Sequence, residues 1–266
     1  MEIATEGHNV LILGPAGTGK SYVVKKIAQT MKSSGKRVGI TGTTGMAASL
    51  IQGVTVHKFF ALRDGRYSNE ELTIKIMTDV NYHDVKTRIL SIDCVIIDEI
   101  SMLSWKLLEQ IEYVCRNVRG VNKPFGGIQM VLAGDFFQLK PVANQRYGDP
   151  GDLVISNRKF RDLIPHHIVL KKVYRQSEEK LITAIHELSR GLASESTIEF
   201  LKTLERPLVT GVPVRLFSQN YDVDICNSDN LLELTGIYNL QCAFIYMFLV
   251  LPIHIKKEHI CHLNNF

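Results

Sequence analysis

Gly14-Pro15-Ala16-Gly17-Thr18-Gly19-Lys20-Ser21 satisfies the pattern G-x-x-x-x-G-K-[ST] at every required position. Glycines at this spacing let the backbone bend so that successive N–H groups point at an anion. Within such a loop Lys20 reaches the β/γ-phosphates of a nucleotide, and the Ser21 hydroxyl holds Mg²⁺. The flanks agree with that reading. Asn9-Val10-Leu11-Ile12-Leu13 has the form of a short buried strand, and Ser21 to Met31 that of a helix with Val23, Val24, Ile27 and Met31 on one side. The helix aims its N-terminal dipole at the phosphates.

Working outward, apolar runs alternate with amphipathic stretches. Arg37-Val38-Gly39-Ile40-Thr41, Cys94-Val95-Ile96-Ile97, Gln129-Met130-Val131-Leu132-Ala133 and Ile168-Val169-Leu170 read as further strands. Ser68-Asn69-Glu70-Glu71 has capping-box spacing and opens a helix to about Val80. Ser104 caps a helix with Leu107, Leu108, Ile111, Val114, Cys115 and Val118 on one face. This alternation predicts an α/β fold, a phosphate-loop NTPase with a parallel sheet covered on both faces. Functional side chains are then expected at the carboxyl ends of strands, where Gly14, Thr41, Asp98, Asp135 and Lys171 fall.

From about Ser177 the pattern turns helical, with a strand candidate at Val214-Arg215-Leu216-Phe217. The apolar run Cys242 to Leu251 is too short to span a bilayer and is broken by Pro252, so no membrane role is expected. His254, His259, Cys261 and His262 fit no zinc spacing. The five cysteines are odd in number and form no CxxC pair, so neither a zinc ribbon nor a disulfide framework is indicated and a reducing compartment is expected. With 45% apolar and 22% charged residues the 266-residue chain is an ordinary globular one, and its net charge of +4 permits a nucleic-acid partner without requiring one. No secretory or transit pattern is visible. The expected location is the nucleus or mitochondrion for a eukaryotic source and the cytoplasm otherwise.

Asp98-Glu99 closes a buried strand in the manner of a Walker B element. The aspartate is a candidate Mg²⁺ ligand beside Ser21, and the glutamate a candidate base that polarises water for attack on the γ-phosphate. Asn122-Lys123-Pro124-Phe125 lacks the aspartate of a guanine-specificity motif. In Gly134-Asp135-Phe136-Phe137-Gln138-Leu139-Lys140-Pro141-Val142, a strand-end glutamine is placed to sense the γ-phosphate.

The phosphate loop, Ile97-Asp98-Glu99-Ile100-Ser101-Met102, Gly134-Asp135-x-x-Gln138-Leu139-x-Pro141-Val142 and Leu170-x-x-Val173-Tyr174-Arg175-Gln176 stand in the order found in the petite-integration-frequency (PIF) family of DNA helicases, which the chain resembles from about Gly7 to Gly236. The resemblance implies a RecA-like motor domain and ATP-dependent, 5′-to-3′ helicase activity in DNA repair, recombination or telomere maintenance. ATP and Mg²⁺ are the implied cofactors, and single-stranded DNA and duplex/single-strand junctions the implied partners. It implies ATP binding by Gly14, Pro15, Ala16, Gly17, Thr18, Gly19, Lys20 and Ser21, and metal binding by Ser21 and Asp98. Lys20, Glu99, Gln138 and Arg175 become the catalytic set, with Arg175 reaching the γ-phosphate from a second motor domain. Thr41-Gly42-Thr43-Thr44-Gly45-Met46-Ala47-Ala48 and Gly53-Val54-Thr55-Val56-His57-Lys58-Phe59 look like the family's first strand-contacting segment, making Thr44, His57 and Phe59 candidate DNA contacts. His57 and Phe59 read equally well as core residues.

The pattern also departs from the family. Met1 to Val10 holds no adenine-reading glutamine, and the later second-domain motifs have no counterpart after Gly236. The expected organisation is a first motor domain over 1–167, the beginning of a second over 168–236, and a divergent tail over 237–266, in a truncated form of the longer protein. Two alternatives stay open: a nucleotide-binding module that holds DNA or a partner without motor activity, and an unrelated phosphate-loop ATPase.

Overall fold

A computed structural model describes residues 2–205 and 215–233. In chain order the elements are α1 (Glu2–Thr5), β1 (Val10–Leu13), α2 (Lys20–Ser33), β2 (Val38–Gly42), α3 (Gly45–Leu50), β3 (Val54–Thr55), α4 (Val56–Phe60), α5 (Asn69–Thr78), α6 (His83–Ser91), β4 (Cys94–Asp98), α7 (Trp105–Arg119), β5 (Gln129–Gly134), α8 (Lys159–Leu163), β6 (His166–Val169), α9 (Glu179–Ser189), α10 (Glu195–Thr203) and α11 (Asn220–Glu233). The strands make one six-stranded sheet in the order β3-β2-β4-β5-β1-β6. Every pairing is parallel. Expected fold class and observed sheet agree.

The period-two geometry of strands explains why both faces are apolar. Val10 and Ile12 of β1, Cys94 and Ile96 of β4, and Val131 and Ala133 of β5 face Val24, Ile27, Ala28 and Met31 of α2. Leu11, Val95, Ile97, Met130 and Leu132 point the other way, into a larger core with the buried faces of α5, α6 and α7. Each fully buried aliphatic side chain there stabilises the fold by about 1.5–3 kcal/mol. Local chemistry sets the helix starts. Ser68 and Glu71 exchange both bonds of a capping box at α5, and Ser104 Oγ accepts from Leu107 N at the start of α7.

Two expectations change. The strand expected at Ile168–Leu170 runs from His166 to Val169 and so crosses the boundary placed after residue 167. Leu170 N then donates to Leu13 O at 2.7 Å, and residues 1 to 204 form a single unit. The physical reason is that β6 completes the ladder on the far side of β1 and carries the following stretch along with it. Residues 215–217 form no strand, and Val214 lies outside the described residues. The second unit begins at Glu205, and its described part contains α11. The tail over 237–266, with its apolar run and His/Cys cluster, lies outside the described residues. Among the described residues no helix is long and apolar enough to cross a membrane, and no group of three metal-ligating side chains occurs.

Candidate nucleotide site

The loop from Gly14 to Gly19 joins the carboxyl end of β1 to α2, so it lies at a crossover of the parallel sheet. Lys20 is the first residue of α2 and is 7% exposed. Its Nζ donates to Gly14 O at 2.7 Å and to Pro15 O at 3.2 Å. Both partners are neutral carbonyls, which leaves the ammonium without a hydrogen-bonded carboxylate and suited to a phosphate.

Ser21 Oγ donates to Asp98 Oδ2 at 2.9 Å across 77 residues of sequence. Asp98 ends β4 and is 2% exposed, and its second oxygen accepts from Glu99 N at 3.0 Å. A hydroxyl touching a buried carboxylate at the foot of a phosphate loop is the oxygen-rich donor set that Mg²⁺ prefers. The residues present therefore fit a magnesium nucleotide. Gly14 to Ser21 would hold the phosphates, and Ser21 and Asp98 the metal.

Glu99 adopts φ 57°, ψ 43°, the left-handed region, at a cost of about 1–3 kcal/mol for a non-glycine residue. Its carbonyl is fixed by two donors: Thr43 Oγ1 at 2.9 Å and Met102 N at 3.1 Å. Burial raises the Glu99 carboxyl above the usual glutamate range, with the negative charges of Asp98 and Asp135 adding to the rise and Lys20 opposing it. A base raised in this way accepts a proton more readily near neutral pH.

Gly17 has φ 83°, which glycine adopts freely. Its carbonyl accepts from Tyr174 N at 2.8 Å and Arg175 N at 3.3 Å. A Cβ at Gly17 would meet Gln176 Oε1 at 2.7 Å and Arg175 Cβ at 3.0 Å. The segment Val173–Gln176 is thus docked on the phosphate loop by its own backbone. The arginine expected on a separate domain has its main chain anchored inside the first unit, with its side chain exposed. Gln138 is exposed, and its Nε2 donates to Asp135 Oδ2 at 3.1 Å. Asp135 itself is buried.

Residues 2–193 match the PIF1-like helicase family. The chain belongs to that family. It is 32% identical over 241 residues to the ATP-dependent DNA helicase PIF1 of Saccharomyces cerevisiae, covering 89% of this chain and 28% of that protein. Human PIF1 is 32% identical over 234 residues, covering 87% of this chain and 35% of that protein. The crystal structure of Pif1 helicase from Candida albicans superposes with a TM-score of 0.81 at 32% identity, covering 90% of this chain and 54% of that one. Bacteroides Pif1 in complex with ADP-AlF3 and ssDNA gives 0.74 at 26% identity, covering 87% of this chain and 55% of that one. The chain spans about a third of the length of these curated relatives and about half of the solved chains.

The three candidate DNA contacts of this PIF1-like chain fall in different environments. Thr44 caps α3, its Oγ1 accepting from Ala47 N at 3.1 Å, and stays partly open. His57 is half-buried, and burial lowers its pKa, which disfavours the charged ring that a phosphate would attract. Phe59 fits the core reading of the two that the sequence left open. It is 5% exposed, its ring edge meets Phe60 at 4.9 Å between centroids, and the Arg88 guanidinium lies 4.9 Å from its centroid. A Cβ on Gly39 would come within 2.6 Å of the ring. Phe59 fills the gap left by that glycine and is a core residue, because apolar enclosure stabilises the ring more than exposure at a strand end.

Sequence reasoning assigned no specific contact to Thr43, Asp135 or the Tyr174 amide. The available signal was position: each stands beside a motif residue already singled out. Thr43 and the Tyr174 amide reach partners tens of residues away, whereas Asp135 accepts from Phe137 N and Gln138 Nε2 within its own turn.

Proposed function

We propose that this chain binds ATP with Mg²⁺ and hydrolyses it as part of a 5′-to-3′ DNA helicase acting on single-stranded DNA and duplex/single-strand junctions. The contact between Ser21 Oγ and Asp98 Oδ2 carries the reading, since it joins the two motifs that must meet for metal-assisted phosphoryl transfer. Bound Mg²⁺ supplies neutralisation of the phosphate charge. Lys20 and the loop amides orient the phosphates, Asp98 and Ser21 position the metal, and Glu99 takes the proton of the attacking water. Gln138 and Arg175 complete the set as γ-phosphate sensor and charge-neutralising arginine.

The names of the relatives support the helicase reading, and the ssDNA bound to Bacteroides Pif1 supports single-stranded DNA as the partner. In the same reading, residues 168–236 carry the sequence that opens a second motor domain, although the structure packs the part up to Leu204 with the first. Residues 237–266 are a divergent tail. The curated relatives named above are eukaryotic, and we place the protein in the nucleus or mitochondrion.

The test is single-turnover ATP hydrolysis with and without single-stranded DNA, followed by strand displacement on a duplex bearing a 5′ single-stranded tail. DNA-stimulated turnover supports the motor. Tight nucleotide and DNA binding without turnover would leave the binding-module alternative in its place.

A further inference from the structure

We propose that Thr43 is a positioning residue that couples DNA occupancy at the β2–α3 junction to the orientation of Glu99. The inference rests on the reading above, in which Glu99 is the base, and on the expectation that Thr44, the next residue, contacts the strand. Thr43 is 8% exposed and stands one residue beyond β2. Its N–H donates to Asp98 O at 3.2 Å, and its hydroxyl donates to Glu99 O at 2.9 Å. One residue therefore grips both members of the acidic pair by their main chain. On its other side Thr44 caps α3.

Two features make this connection stiff. A Cβ on Gly42 would lie 2.5 Å from Ala48 N and 2.9 Å from the Ala47 carbonyl carbon, so α3 rests on the end of β2 with no side chain between them. Displacement of α3 by a bound strand is then passed to Thr43 without a compressible layer. At the receiving end, Glu99 occupies the left-handed basin, which is narrow for a residue with a Cβ. Its carbonyl has a local donor, Met102 N, and one long-range donor, the Thr43 hydroxyl. Withdrawing the hydroxyl loosens the peptide and lets Glu99 relax toward commoner φ/ψ values, which re-aims the carboxylate. Thr43 touches Glu99 only through its backbone, so it acts on the base without being one.

Thr43→Val deletes the hydroxyl and keeps the β-branched shape, Thr43→Ala deletes it in a smaller residue, and Thr43→Ser keeps it. With the 266-residue chain, the affinity of fluorescently labelled oligo(dT) is measured with Mg·ADP and with Mg·ADP–aluminium fluoride. The second ligand mimics the transferring phosphoryl group, so it draws on Glu99 where ADP does not. For the unaltered chain we expect a ratio between the two affinities in the range of about 5- to 150-fold that is typical of coupled sites. Thr43→Val and Thr43→Ala should bring the ratio to within about twofold of one, while oligo(dT) affinity with ADP stays within about twofold of the unaltered chain. Thr43→Ser should keep the original ratio.

An unaltered chain that binds both ligands with a ratio of one would overturn the proposal. So would full coupling in a folded hydroxyl-free variant, or equal loss in Thr43→Ser, which would assign the effect to packing. If the unaltered chain binds neither oligo(dT) nor nucleotide, the helicase reading itself fails. That outcome is distinct from binding without coupling.

Discussion

The phosphate-loop end of the sheet and the β2–α4 stretch beside it were both marked as functional from sequence, yet they fold by different rules. At the loop, residues far apart in the chain converge as their motifs require. Ser21 meets Asp98, Lys20 sits among its own loop carbonyls, and the Tyr174 amide caps Gly17. Along β2 to α4 the same kind of reading separates into one cap, one half-buried imidazole and one core ring. A motif defined by backbone shape and charge has few other uses in a fold. An aromatic in an apolar stretch has an alternative use, since burial of its ring is itself stabilising.

The largest effect that would break this contrast lies at the loop. Lys20→Ala should lower nucleotide affinity and turnover by about a thousandfold or more, because it removes the one buried cation among the described residues, at the foot of the phosphate loop. Titration with a fluorescent ATP analogue checks it, and near-normal affinity would move the site elsewhere. Glu99→Gln should slow single-turnover hydrolysis by about 10²–10⁴-fold while nucleotide affinity changes only a few-fold, since shape is kept and the base is lost.

On the other side of the comparison, Phe59→Ala should destabilise the fold by about 3–5 kcal/mol in urea melts, as expected for an emptied aromatic core site. Single-strand affinity per folded molecule should stay the same, and Phe59→Leu should keep enough stability to measure it. Loss of DNA affinity at unchanged stability would return Phe59 to the DNA surface. Thr44→Ala should cost about 0.5–2 kcal/mol through the lost α3 cap, again read by denaturation.

The smallest effect is one of pH. Because burial raises the Glu99 carboxyl, the acidic limb of turnover should lie above the range of an ordinary glutamate. The stability contribution has the opposite sign to that of a salt-bridged carboxylate. Between the ordinary value and the raised one, the folded state holds more protons than the unfolded state, so stability falls as pH rises through that interval. Glu99→Gln should abolish this dependence, and a stability profile unchanged by that substitution would remove the burial argument.

Most of the sheet was legible because its strands are short apolar runs closed by polar or glycine residues, and because α7 carries an unbroken helical stripe from Leu107 to Val118. The two-residue β3 and the charged α6 were not legible. β3 is too short to show a period, and Val85 and Ile89 are the buried residues of α6. β6 straddles residue 167 because a composition change marks where helices begin, not where a sheet gains its last strand.

By itself the sequence determined the phosphate loop, the acidic pair, the parallel α/β layering and the family. Each of these is written in local patterns of glycine, charge and apolar period, which physical chemistry constrains within a few residues. Only the tertiary structure decided that Phe59 belongs to the core, that Tyr174 and Arg175 dock by their amides on Gly17, and that the Thr43 hydroxyl holds the strained Glu99. Those outcomes depend on which strands become neighbours and how closely their backbones approach, and pairings across tens of residues leave no mark in the local sequence.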